Sequence, residues 1–134
     1  MSAGQMNAGR GEGRLTTHVL DTMAGRPGAG ISVVLDRLGD DGARTRVAQA
    51  RTNADGRCDA PLLAGADLVV GRYELTFAVG AYFQTRVHEG GGVALADPPF
   101  LDEVPIRFAI ADAGQHYHVP LLISPYAYST YRGS

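Results

Sequence analysis

The chain has 134 residues, 45% of them hydrophobic, which is enough for one domain with its own core and too few for two independent ones. A net charge of −2 and a pI near 6.0 leave no basic surface able to hold a polyanion. Nucleic acid and anionic membrane are therefore not expected partners, and a small molecule or another protein is.

The first thirteen residues are Gly, Ala and polar with no apolar stretch, and are read as a disordered tail ahead of a domain over 14–134. Leu15 to Leu20 alternates as a strand, with Leu15, Thr17 and Val19 on one face and Thr16, His18 and Leu20 on the other. A loop holding Gly25-Arg26-Pro27-Gly28 leads into a strand over Ile31 to Leu38, and Gly39-Asp40-Asp41-Gly42 turns the chain back. Arg44 to Thr52 is a polar strand suited to a sheet edge. Asp55-Gly56 after it reads as a tight hairpin turn, because glycine accepts the positive φ required there, and Arg57 follows directly. Tyr73 to Val79 alternates again, and Gly80 to His88 is the one short helix. Gly90-Gly91-Gly92 and Asp97-Pro98-Pro99 bound a flexible loop. Strands follow at about Glu103 to Ile110, Gln115 to Ser124 and Tyr128 to Arg132. Short strands punctuated by turn residues, without long amphipathic helices, give an all-β fold, a two-sheet antiparallel β-sandwich.

No apolar run reaches the length of a membrane span. Cys58 is the only cysteine, so no intrachain disulfide forms, and the expected location is the cytoplasm. His116 and His118 project from one side of a strand, as residues i and i+2 do. Three roles fit such a pair: two metal ligands, acid–base or substrate-binding work, or structural hydrogen bonding. His18 offers a third imidazole, but no acidic or cysteine cluster stands near it in the chain, which places metal behind acid–base chemistry. Arg57 taken alone is one of twelve arginines after an ordinary turn, and all twelve basic residues are arginine. No glycine-rich phosphate loop opens a helix, and no nucleophile elbow or Cys-His pair points to covalent catalysis.

Two layers of resemblance follow from named segments. Gly30-Ile31-Ser32-Val33, Thr52-Asn53-Ala54-Asp55-Gly56-Arg57 and Gly71-Arg72-Tyr73-Glu74-Leu75 are similar to many prealbumin-like sandwich modules and specify a fold only. Leu15-Thr16-Thr17-His18-Val19-Leu20-Asp21, Asp55-Gly56-Arg57, His116-Tyr117-His118-Val119-Pro120-Leu121-Leu122 and the terminal Tyr131-Arg132-Gly133-Ser134 together resemble the 5-hydroxyisourate hydrolase family, related to transthyretin, over about Arg14 to Ser134. The resemblance implies a β-sandwich with one short helix, a homotetramer built as a dimer of dimers, and sites in a channel between subunits. It implies opening of the cyclic amide of 5-hydroxyisourate to 2-oxo-4-hydroxy-4-carboxy-5-ureidoimidazoline, without metal or cofactor. The family's essential histidine, arginine and second histidine match His18, Arg57 and His118, and its tail tyrosine and serine match Tyr131 and Ser134. The expected catalytic set is His18, Arg57, His118 and Ser134. Substrate binding is assigned to His18, Arg57, Tyr131, His116 and Arg132. Transthyretin, a hormone carrier on the same fold, continues past the point where this chain ends, so a carrier without chemistry is the alternative and ending at Ser134 favours the enzyme.

Overall fold

The computed structural model describes residues 13–88 and 95–134. Almost all of the expected N-terminal tail, and the Gly90-Gly91-Gly92 loop, lie outside the described residues. Gly13 is already packed: its carbonyl accepts from Gly65 N at 3.1 Å.

Among the described residues, nine strands and one α-helix follow in chain order, with a short 3-10 turn at Gly65–Asp67: β1 (Arg14–Asp21), β2 (Arg26–Pro27), β3 (Ser32–Leu38), β4 (Arg44–Arg51), β5 (Leu63–Ala64), β6 (Gly71–Ala78), α1 (Val79–His88), β7 (Glu103–Ile110), β8 (His116–Ile123) and β9 (Tyr128–Thr130). One sheet runs β2-β1-β8-β9, with β5 also pairing β1, and the other runs β4-β3-β6-β7. Every pairing among these strands is antiparallel except one. β1 and β8 run parallel, in a register that sets Thr16 beside His118 and His18 beside Pro120.

The period-2 alternation of each strand decides which face enters the core. From β1, Leu15 and Val19 are fully buried, and from β8, Leu121 and Ile123. Val33 and Leu35 of β3, and Leu75 and Phe77 of β6, meet them from the other sheet. Each such side chain contributes roughly 1.5–3 kcal/mol relative to exposure. The opposite face of the β1–β8 pair carries Thr16, His18, His116 and His118, and the core never needs it. β4 is the exposed edge expected of it, with most of its residues accessible. No helix among the described residues is long and apolar enough to cross a membrane.

The Asp55-Gly56 turn departs from expectation. It does not close a hairpin between two ladder strands. Gly56 has φ of 76°, as the turn requires, but the chain leaving it touches β1 through a single bridge between Arg57 and His18. The final strand is also shorter than expected: β9 stops at Thr130, and the tail rejoins β8 only at Gly133, bridged to His118.

Candidate active site

Three segments far apart in sequence meet on the outer face of the β1–β8 pair. His18 stands on that face because its neighbours Thr17 and Val19 point into the core. Arg57 is brought to it by the turn: Val19 N donates to Gly56 O at 2.8 Å, and the bridge sets Arg57 against His18. A side chain at position 56 is barred on two counts, the positive φ and a Cβ that would lie 2.4 Å from Val19 O.

Asn53 organises this turn. Its Oδ1 accepts from Asp55 N at 2.9 Å and Arg57 N at 3.1 Å, while its Nδ2 donates to Asp59 Oδ1 at 3.0 Å. Its backbone N donates to Arg57 O at 2.7 Å, closing the loop. An Asn two residues before Asp-Gly is a readable turn signal, yet nothing in the linear pattern says that it carries Arg57 to a histidine.

His118 is half-buried at the centre of the cluster. Its Nδ1 is 2.8 Å from Thr16 Oγ1, a contact created by the parallel register between residues 102 apart in sequence. With Nδ1 occupied, Nε2 is the nitrogen left for other chemistry. Burial holds the imidazole below its ordinary pKa, and the nearby Arg57 and His18 push in the same direction, against a hydrogen bond with Thr16. The ring is therefore neutral at pH 7.

The tail lies against this ring. Gly133 N donates to His118 O at 2.8 Å, and a Cβ on Gly133 would come within 2.6 Å of His118 Cδ2. Ser134 follows at once and is exposed. His116 shares the face of His118 but is turned to a different partner, Nδ1 accepting from Arg14 Nε at 3.2 Å.

Arg132 and Tyr131 have other surroundings. The Arg132 guanidinium sits 4.3 Å from the centre of the Tyr117 ring and donates at 3.0 Å to both Gln115 Oε1 and His116 O. That combination anchors the tail to the start of β8. Tyr131, with Arg132, lines a groove of about 370 Å³ beside Ile106 and Phe108 of β7. Thus His18, Arg57, His118 and Gly133 share one locality with Ser134 next in the chain, His116 borders it, and Tyr131 and Arg132 flank the tail. No group of three His, Cys, Asp or Glu side chains placed to hold a metal occurs among the described residues. Nothing local in the sequence marks Thr16 or Asn53 as part of this site.

This arrangement offers a neutral imidazole, a second imidazole and a guanidinium on an open sheet face, groups able to take a proton from water and to meet negative charge on an oxygen. Comparison with known proteins agrees in fold and sequence. The chain is 62% identical over 122 residues to the 5-hydroxyisourate hydrolase of Mesorhizobium japonicum, a match covering 91% of this chain and 93% of that one. The structure of Klebsiella pneumoniae 5-hydroxyisourate hydrolase superimposes with a TM-score of 0.71 at 38% identity, over 91% of this chain and 99% of that one. Sea bream transthyretin in complex with thyroxine gives a TM-score of 0.75 at 26% identity, over 90% of this chain and 94% of that one. Residues 15–133 match the model of the HIUase/Transthyretin family, and the chain belongs to that family.

Proposed function

We propose that this protein is a hydrolase that opens 5-hydroxyisourate to 2-oxo-4-hydroxy-4-carboxy-5-ureidoimidazoline in urate breakdown. The observation that carries this reading is the 62% identity to a 5-hydroxyisourate hydrolase along nearly the whole of both chains. Transthyretin has the same sandwich at 26% identity, so fold alone does not separate carrier from enzyme and sequence does.

In the proposed mechanism neutral His118 takes a proton from water through Nε2 while Thr16 holds Nδ1. The water oxygen bonds to the ring carbonyl carbon, and Arg57 meets the negative charge that develops on the carbonyl oxygen. As the amide C–N bond breaks, His18 delivers a proton to the departing nitrogen. Ser134 positions water or substrate at the end of a tail held by Gly133 and Arg132, and His116 and Tyr131 border the substrate. Only proton transfers and charge stabilisation by these side chains enter the scheme.

We also propose a homotetramer made as a dimer of dimers. Each sheet has an edge strand paired on one side only, β9 in one and β7 in the other, and residues of both border the same groove. Exposed edges of this kind are stabilised by pairing across a twofold axis. Light scattering should report four chains, and a fully active monomer would rule the assembly out as a requirement. A cytoplasmic location belongs to the same reading; the lone Cys58 is compatible with a reducing compartment, and cell fractionation tests it.

The activity is tested by generating 5-hydroxyisourate with urate oxidase and following its ultraviolet decay. The protein should accelerate that decay. An unchanged spontaneous rate would refute the proposal.

A further inference from the structure

A cleft of about 650 Å³ opens where the β2–β3 connection, the end of β4 and the first turns of α1 come together. None of His18, Arg57 or His118 lines it. Its walls include Arg26, Arg51 and Arg86, with hydroxyls from Ser32, Tyr82 and Thr85. No carboxylate stands among the lining residues, although the chain as a whole carries a net charge of −2.

Arg86 is directed inward: its Nε lies 3.7 Å from Oδ2 of fully buried Asp21, and Tyr82 donates to the same oxygen at 2.7 Å. That pair balances itself and braces the wall. Arg51 donates through one nitrogen to Gly30 O at 2.7 Å, which fixes the direction of its guanidinium and leaves its remaining donors available. Arg26, held on β2 by pairing with Asp21, brings a second exposed guanidinium to the same space. Two guanidiniums, Arg51 oriented by its bond to Gly30 O and Arg26 beside it, with the Ser32 hydroxyl nearby and a volume ordinary for a metabolite site, match the paired oxygens of a carboxylate or phosphate.

We propose that this cleft is a second binding site, taking a small carboxylate- or phosphate-bearing metabolite clamped by Arg26 and Arg51. Ala54 lines the cleft and belongs to the same turn as Arg57, so one turn borders the cleft and carries a residue of the other site.

Inorganic phosphate and citrate are titrated separately into the full-length protein at constant ionic strength, and backbone amides are followed by NMR. The expected result is a saturable shift of Gly30, Ser32, Ala54 and Ala81 with at least one of the two anions; whichever saturates identifies phosphate or polycarboxylate as the source. In the R26Q/R51Q double variant binding should weaken at least tenfold, equivalent to about 1.4 kcal/mol, and R57Q should bind as the parent does. Should the double variant not fold, the amide map of the parent decides alone. No saturable shift at these amides overturns the proposal, as does undiminished binding by a folded double variant. Loss of binding in R57Q instead would place the anion at the His118 site and also overturn it.

Discussion

Gly133 rests on the imidazole of His118: its N–H donates to the His118 carbonyl at 2.8 Å, and the space a Cβ would need is taken by Cδ2 of the ring at 2.6 Å. The terminal residues thereby define one side of the candidate base, and a hydrogen in place of a side chain makes that approach geometrically possible.

Substituting Gly133→Ala should therefore displace the ring or lift the tail, with little consequence for the core. Turnover of 5-hydroxyisourate is expected to fall on the order of 100-fold, the effect typical of a small misplacement of a reacting group, while the melting temperature stays close to that of the parent. Stopped-flow absorbance and calorimetry check the two halves. Parental turnover in the variant would separate the tail contact from catalysis.

The pH profile follows from the direction of the His118 shift. Burial first, then Arg57 and His18, hold its pKa below the ordinary 6.5, and the base works unprotonated. Activity should rise with pH through that lowered value, the limb that belongs to the base. Arg57→Gln removes one positive neighbour, so the His118 titration followed by NMR should move upward. A downward movement, or none, would show that Arg57 does not act on this imidazole.

Asn53→Ala removes the acceptor for two backbone N–H groups and the donor to Asp59. A loss of about 1–2 kcal/mol of stability is expected, from hydrogen bonds that are only partly protected from water. The larger effect should be on turnover, since Arg57 loses its fixed approach to His18. Asn53→Asp keeps the acceptor and should recover part of the activity. Denaturant melts and kinetics of the two variants distinguish this from a purely structural role, in which turnover would track stability alone.

On the other sheet, buried Glu74 accepts from Arg107 Nε at 2.9 Å and also from Arg44. Burial alone would raise its pKa; the hydrogen bonds and charges of Arg107 and Arg44 outweigh burial and hold it below the ordinary 4.5. A depressed carboxylate stabilises the fold fully above its unfolded pKa, and the contribution disappears as pH falls through the folded value. The melting temperature should therefore drop in the region below pH 4.5. Glu74→Gln should flatten that drop and cost about 1–2 kcal/mol near neutrality, a modest figure because the two arginine side chains are 48% and 67% exposed to water. Parallel pH–melting curves for parent and variant would refute the assignment.

The alternation of apolar and polar residues was sufficient to place His18, His116 and His118 on the non-core faces of their strands, and Asp55-Gly56 announced a turn with Arg57 behind it. A side chain's face depends on a period of two within one strand, so it is legible locally. The partner of that face is not. Thr16 meets His118 only because β1 and β8, 102 residues apart, pair in parallel and in one register, a result of how both apolar faces fill the common core. The same holds for Arg132, whose guanidinium lies over Tyr117 at the start of β8, and for Asn53, whose three side-chain bonds turn an ordinary-looking loop into the mount for Arg57. Local sequence determined which chemical groups reach the surface. Long-range packing decided which of them stand together, because register and the path of the tail depend on contacts that no short stretch of chain contains.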